Sequence, residues 1–363
     1  MGQRIISFDA HETHQTSMSA IERMHAASLE KLPHYTLDPL YDLVGADLKD
    51  TFSFTSSGAE AINQVHWTAY LELARKEGKC HFLTTAVEDA ATLQSLKRLE
   101  TLGCTAKIAP LDKNGCVDLE KLPEFLTPRT ALFSLSLASG LTGIVQPIEE
   151  IVEMAHAAGV LVHADATYAL GKLYAPFQTG IDYLTFGGSG IHSVKGSGGV
   201  FAKQGLPLAP LILGDRSDPA AMAALSVAAT HAALFFDQMN LEVARLRDRL
   251  EEGVRGAGAL FKECFRLPNV AVLVFPKVHQ EMLAFTLLQK GLAATLGGTS
   301  LPHLHRHLEN AGLDAQTALS SCSFALSRFT TQDEIDRAIS LIQETVQALL
   351  PLTEDLFEGT YVH

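Results

Sequence analysis

The chain has 363 residues, 47% of them hydrophobic, and carries a formal net charge of −13. A length above one average domain predicts a large domain with a smaller companion and a sizeable apolar core. The acidic balance excludes nucleic acid as the main expected partner, because phosphate contacts need clustered Lys and Arg.

Gly, Ser, His or charged residues break the long apolar stretches, so no membrane-crossing helix is expected. The opening Met1-Gly-Gln-Arg-Ile-Ile-Ser-Phe-Asp9 lacks an apolar signal core and reads as the start of a strand, which makes a cytoplasmic location the default expectation. Cys80, Cys104, Cys116, Cys264 and Cys322 are odd in number and scattered. They suit buried small residues rather than a disulfide framework or a Cys-x-x-Cys metal pair.

In chain order, Ile5–Asp9 alternates like a strand and Ser19–Leu29 has helical spacing. Between them His11 and His14 miss the His-Glu-x-x-His zinc spacing by one residue and read as a solvated turn. Phe52–Thr55 is a β-rich run, followed by Ser56-Ser57-Gly58-Ala59-Glu60-Ala61 and helical spacing over Ile62–Arg75. A strand feeding a Ser/Gly turn and a helix start offers free backbone N–H groups, a usable anion site.

Strand and helix patterns then alternate. Strands are expected at Cys80–Thr84, Thr105–Pro110, Ala131–Leu137, Val160–Ala164, Tyr183–Phe186 and Gly199–Ala202, and helices at Ala91–Leu102, Leu119–Leu126 and Ile148–Ala158. That alternation, with apolar strands, predicts an α/β fold with a mainly parallel sheet covered on both faces. Ligands of such sheets gather at the carboxyl ends of the strands. Here those ends carry Ser56–Ala59, Val87–Asp89, Ala138–Gly143, Asp165–Tyr168 and Gly187–Lys195.

Beyond Gly214, Ala220–Gln238 and Leu241–Ala257 read as helices, Ala271–Phe275, Leu283–Leu288 and Ser321–Ser327 as strands, and Pro302–Asn310 and Thr331–Leu350 as helices. Thr330 with Glu334 reads as a loose capping box for the last of these. This part suits a smaller α+β domain. His303 and His307 stand at i, i+4, a metal-capable spacing, although an ordinary helix explains them as well.

Several segments together resemble the NifS/IscS-like cysteine desulfurases, the class-V aminotransferase branch of the fold-type-I pyridoxal phosphate (PLP) enzymes. They are Phe54-Thr-Ser-Ser-Gly-Ala-Glu-Ala-Ile-Asn63, Asn114-Gly-Cys-Val-Asp-Leu119, Gly143-Ile-Val-Gln-Pro-Ile148, His163-Ala-Asp-Ala-Thr167 with Gly171-Lys172, and Ser327-Arg-Phe-Thr-Thr-Gln-Asp-Glu-Ile335. Their order and spacing cover almost the whole chain. The resemblance implies a seven-stranded-type PLP-transferase sheet in residues 21–238, a small α+β domain in 239–363, and an N-terminal arm, 1–20, packed with the small domain. It also implies a homodimer, and a sulfur-transfer protein or an active desulfurase as a candidate partner.

The family holds PLP on a Schiff-base lysine, with an Asp on the pyridine nitrogen, a His stacked on the ring, Thr, Ser and His on the phosphate, an Arg for the substrate carboxylate and a mobile Cys as sulfur acceptor. Carried over, the phosphate Thr falls on Ala59, the stacking His on Asp89 and an Asn on Ser139. A gap-free match from Ile181 to Phe201 places the phosphate Ser on Gly187, the His on Ser189 and the catalytic lysine on Gly190, with Lys195 as a second, non-catalytic lysine. The substrate Arg falls on Ser323, the loop Cys falls in Leu296-Gly-Gly-Thr-Ser300, and no Arg-x-Gly-Thr occurs between Gly214 and Phe235. Asp165 keeps the family identity, with Tyr168 where a Gln usually stands.

Losing three or four phosphate contacts at about 1.5–3 kcal/mol each would weaken cofactor affinity by on the order of 10⁴–10⁷. The leading expectation is therefore a catalytically degenerate homologue with a binding or regulatory role and no bound cofactor. Its vestigial pocket would comprise Ser57, Gly58, Ala59, Asp89, Asp165, Ser189 and Gly190. Two alternatives stay open: an active PLP-dependent desulfurase or aminotransferase using Lys195, or a binding protein that takes a cation or amine between Asp89 and Asp165.

Overall fold

The computed structural model describes residues 5–10, 15–30, 34–214 and 218–358, with side chains followed to residue 353. His11 and His14 lie outside the described residues. The strands in chain order are β1 (Ile6–Ser7), β2 (Thr51–Thr55), β3 (His81–Thr84), β4 (Thr105–Ile108), β5 (Thr130–Ser136), β6 (Leu161–Asp165), β7 (Tyr183–Gly187), β8 (Gly198–Ala202), β9 (Gly258–Ala259), β10 (Val270–Val274), β11 (Leu292–Ala293) and β12 (Ser321–Ala325).

Seven strands form the main sheet in the order β2-β8-β7-β6-β5-β3-β4. Five of them, β3 to β7, pair in parallel, and β8 runs antiparallel to both its neighbours. The continuous apolar runs of β5, β7 and β8 follow from burial on both faces. Adjacent residues on β5 show this: Leu132 enters a core with Val65 and Leu96, and Phe133 enters the opposite core with Ile151 and Leu225.

A smaller unit contains the antiparallel sheet β12-β10-β9 and the parallel pair β1-β11. Ile6 and Phe8 share a core there with Leu246, Leu250, Leu273, Phe324, Ile335 and Ile342. The N-terminal segment is tied to this unit by Ile6 opposite Leu292 and by a bridge from Asp9 to Ala325. No single helix among the described residues is long and apolar enough to cross a membrane.

Four local expectations are corrected. Leu283–Leu288 lies in a helix, Gln280–Gln289, not a strand, and Leu283 and Leu287 are its buried i, i+4 pair. Short apolar runs do not distinguish the two periods. The helix expected at Leu119–Leu126 is a single 3₁₀ turn, Leu122–Glu124, with Pro123 inside it; proline's missing donor favours so short an element. The helix after β2 starts at Gly58 rather than Ile62. The capping box of the last helix sits one residue on from Thr330: Glu334 N–H donates to Thr331 Oγ1 at 3.3 Å and Thr331 N–H to Glu334 Oε2 at 3.0 Å. Thr331→Ala is expected to lose about 1 kcal/mol in urea unfolding, the usual value of such a cap; no change would show that the box contributes nothing.

The parallel arrangement brings together the carboxyl ends of β3, β5, β6 and β7. Leu137 N–H donates to Asp165 O at 2.9 Å, Ala166 N–H to Thr185 O at 2.7 Å, and Ser136 N–H to Glu88 Oε2 at 2.6 Å. The residues singled out at these strand ends are thus neighbours in space.

Candidate functional site

The turn after β2 was expected to offer free N–H groups to an anion. One of those groups, ahead of the helix, is taken by a carboxylate of the chain itself. Ser57 caps the helix by accepting from Glu60 N–H at 3.1 Å, and Glu60 Oε2 accepts from Ser56 N–H at 2.8 Å and from Ser56 Oγ at 2.7 Å. Ala59 supplies only its carbonyl, to Asn63 Nδ2 at 2.8 Å. Gly58 lets this turn touch the loop after β7: a Cβ at Gly58 would lie 3.1 Å from Gly187 N.

Asp165 ends β6, is 3% exposed and has hydroxyl partners on both sides. Its Oδ1 accepts from Thr185 Oγ1 at 2.7 Å and from Thr167 Oγ1 at 3.1 Å. Burial pushes this carboxyl up to about 7, against the pull of Thr185 and with a further push from Asp89. Asp89 caps the helix Ala90–Glu100 through Ala91 N–H at 2.9 Å, and burial raises its carboxyl as well. Glu88, also raised by burial, accepts from Thr85 Oγ1 at 2.6 Å and bridges to Ser136. The strand ends therefore carry three buried carboxyl groups, each shifted towards its protonated form.

A buried polar chain leads from Asp165 through the sheet. His163 Nε2 stands 2.9 Å from Thr185 Oγ1, His163 Nδ1 2.7 Å from Ser134 Oγ, and Ser134 Oγ 2.8 Å from His66 Nε2, whose Nδ1 meets Ser95 Oγ. Burial lowers His66 to about 3 and holds His163 well below the ordinary imidazole range, so both rings are neutral at pH 7. His66 and Ser95 border a cavity of about 480 Å³ that also contains Trp67 and Arg98. His66, Ser95 and this cavity carried no motif in the sequence, and only sheet packing brings them together. His163 is a packed strand residue and also a link in this chain.

The glycine loop after β7 closes on the turn after β6. Gly188–Ile191 forms a 3₁₀ turn, and Gly187 N–H donates to Thr167 Oγ1 at 2.9 Å. A Cβ at Gly190, the position matched to the catalytic lysine, would stand 2.0 Å from Thr167 O. At Gly188 it would stand 2.2 Å from Ser197 Oγ. Ser189 lies within the turn and is half-buried. Lys195 is exposed beside Gly196, with no ion pair or hydrogen bond among the described residues.

The remaining family positions are also built into packing. Ser323, where the substrate Arg would stand, is fully buried in β12 and donates to Leu141 O at 2.7 Å. Ser139 Oγ accepts from Thr142 N–H at 3.2 Å, and the Tyr168 ring lies within 2.9 Å of where a Cβ on Gly140 would be. The segment Leu296–Ser300 is tied down by Ala90 N–H to Ser300 O at 2.7 Å and by Leu304 N–H to Leu296 O at 2.7 Å. His303 stacks on His305, and His307 is buried in the same helix. A cavity of about 830 Å³ lies elsewhere against Cys116, Gln146 and Cys264.

Two buried cations were noticed in the sequence only as members of motifs. Lys172 and Arg328 are each 8% exposed and both face a small cavity bordered by Gly190 and His192.

Comparisons with known proteins agree with this architecture. Residues 12–216 match the aminotransferase class-V family model. The chain is 33% identical over 332 residues to a cysteine desulfurase of Nostoc sp., covering 86% of this chain and 81% of that one. It is 32% identical over 330 residues to the cysteine desulfurase NifS of Azotobacter vinelandii, covering 85% and 80%. Among solved structures, a NifS-like protein superposes with a TM-score of 0.86 at 24% identity over 95% of this chain and 100% of that one, which concerns the fold. DndA from Streptomyces lividans superposes with a TM-score of 0.72 at 22% identity, covering 86% and 97%. Seven-stranded sheet, strand-end site and sequence relatives lead to one assignment: the chain belongs to the class-V aminotransferase family, in its cysteine-desulfurase-like branch.

Proposed function

We propose that this chain is a non-catalytic member of that branch, acting by binding rather than by PLP chemistry. The observation that carries the reading is the 2.0 Å approach of Thr167 O to any Cβ at Gly190. A lysine side chain begins with that carbon, so the fold uses the lysine's starting position for backbone. The other residues do not fit the cofactor either. Ala59 and Gly187 have no hydroxyl for its phosphate, and Glu60 already takes the Ser56 N–H and hydroxyl at the turn before the helix. Asp165, the residue expected at a pyridine nitrogen, has its Oδ1 held by Thr185 and Thr167.

The test is an absorbance spectrum and intact mass of the purified protein after incubation with PLP and borohydride, together with cysteine turnover. The expected result is no Schiff-base absorbance, no added mass and no sulfide release. A borohydride-stable adduct on Lys195 or any other lysine, with turnover lost on its replacement, overturns the reading in favour of an active enzyme. We further propose that the chain acts as a dimer or with a sulfur-transfer protein. The family resemblance supports the dimer, and sedimentation velocity showing only monomers would count against it.

A further inference from the structure

We propose that Cys80 and Cys104 form a dithiol site that a small-molecule disulfide oxidises, with Cys80 the attacking sulfur and Cys104 the resolving one. The site lies at the amino ends of β3 and β4, the end of the sheet opposite the candidate site. The inference does not depend on whether the chain is catalytic.

Sheet register brings the two sulfurs together, since the sequence has no Cys-x-x-Cys spacing. Strands β3 and β4 pair in parallel with His81 opposite Thr105, and Thr105 N–H donates to Cys80 O at 2.9 Å. One step before each of these residues come Cys80 and Cys104, which therefore stand across from one another. Their side chains share a face. Cys80 and Phe82 on one side, and Cys104 and Ala106 on the other, all join one apolar cluster, as the strand period of two requires. Neighbouring strands lie about 4.8 Å apart, inside the roughly 4.4–6.8 Å Cα separation that disulfides span. The electrostatics agree: the Cys104 thiol is raised by burial and then by Cys80. Both are free thiols.

The two sulfurs differ in their surroundings. Cys80 is half-buried, and Arg129 Nη2 donates to its Sγ at 2.9 Å. Arg129 approaches from the other flank of β3, where His81 N–H donates to Arg129 O at 2.9 Å. The same field reaches the next side chain, for burial lowers the His81 imidazole and Lys107 and Arg129 lower it further. A cationic donor beside a reachable sulfur favours the attacking thiolate. Cys104 is 9% exposed and has no such donor among the described residues, which suits a sulfur that reacts second. Elsewhere burial pushes Cys116 up to about 11 and also raises Cys264 and Cys322, so those thiols are poorer nucleophiles.

The exchange balances. The Cys80 thiolate attacks one sulfur of the small disulfide, whose S–S bond breaks, and the leaving thiolate takes up a proton. Cys104 then loses its proton and attacks Cys80 Sγ, expelling the second small thiol. Two protein thiols are oxidised and one small disulfide is reduced to two thiols. The new bond fastens the edge strand β4 to β3 and closes the chain around the helix Ala90–Glu100.

The experiment exposes the folded, reduced protein to glutathione disulfide, quenches it with an alkylating agent and maps its peptides without reduction. The expected result is a linked Cys80–Cys104 peptide that excess reduced glutathione removes. Cys104→Ser should stop with a glutathionyl group on Cys80, and Cys80→Ser should leave Cys104 unmodified at the same exposure. Arg129→Met should slow alkylation of Cys80 by at least about threefold, the effect of a charge-assisted hydrogen bond discounted for an exposed guanidinium. Absence of the linked peptide overturns the proposal. Glutathione on Cys104 in Cys80→Ser as fast as on Cys80 in Cys104→Ser overturns the order of attack, as does an unchanged rate in Arg129→Met. Should Cys104→Ser not fold, early time points of the unaltered protein decide: a mixed disulfide on Cys80 supports the site, and one on Cys104 refutes it.

Discussion

Gly190→Lys, the substitution that would restore the family's catalytic residue on paper, is expected to lower stability by about 3 kcal/mol and to create no cofactor binding. Its Cβ would stand 2.0 Å from Thr167 O, and that carbonyl cannot move freely. Thr167 is held to Asp165 through its Oγ1 and to Gly187 through its accepted N–H bond, so relieving the clash disturbs both strand ends. Most of the loss should already appear in Gly190→Ala, because the conflict is at the first side-chain carbon. Urea unfolding of both variants, with an absorbance spectrum after PLP addition, checks this. A stable Gly190→Lys that forms a Schiff base at position 190 would show that the loop opens readily and would remove the main support for a non-catalytic role.

Asp165→Asn is expected to stabilise the protein in a pH-dependent way. The carboxyl is raised from its ordinary 3.8 to about 7, so between those values the folded state binds the proton more tightly than the unfolded chain. Stability of the unaltered protein therefore falls as pH rises through that window, and the cost of ionising Asp165 is absent below about 4 and complete above about 7. Asparagine does not ionise and can still accept from Thr185. The stability difference between variant and parent should be small near pH 4 and reach on the order of 4 kcal/mol above pH 7. Titration of Glu88 is common to both proteins. The relief of Asp89 from a like charge adds in the same direction. A difference that stays flat from pH 4 to 8 would mean that Asp165 is solvated or paired with a cation.

The sequence was most legible where one face or both of an element had to be buried. Strand β5 and the helix Ile148–Ala157 follow directly from their apolar periods, because only burial explains those residues. It was least legible where a local pattern serves two geometries. The run Met282–Leu288 is as apolar as a strand, and only the core that takes Leu283 and Leu287 reveals a helix. The Ser56–Ala61 turn has the composition of an anion site, and that Glu60 folds back onto Ser56 to take one of its N–H groups is set by a side-chain rotamer rather than by residue type.

The candidate site divides in the same way. The ordered motifs of the sequence, with Gly190 aligned to a lysine and Ala59, Asp89 and Ser323 aligned to other family roles, determined the family and the expectation that its chemistry had lapsed. Sequence could not tell whether Gly190 leaves an empty space or a filled one, because that depends on how closely two loops 20 or more residues apart approach. Tertiary structure decided it, by bringing the Thr167 carbonyl into the place of the missing side chain. It likewise decided that Lys172 and Arg328, distant in the chain and ordinary as motif members, are both buried and line the same small cavity. Charge and burial are properties of a three-dimensional neighbourhood, and residue order alone does not contain that neighbourhood.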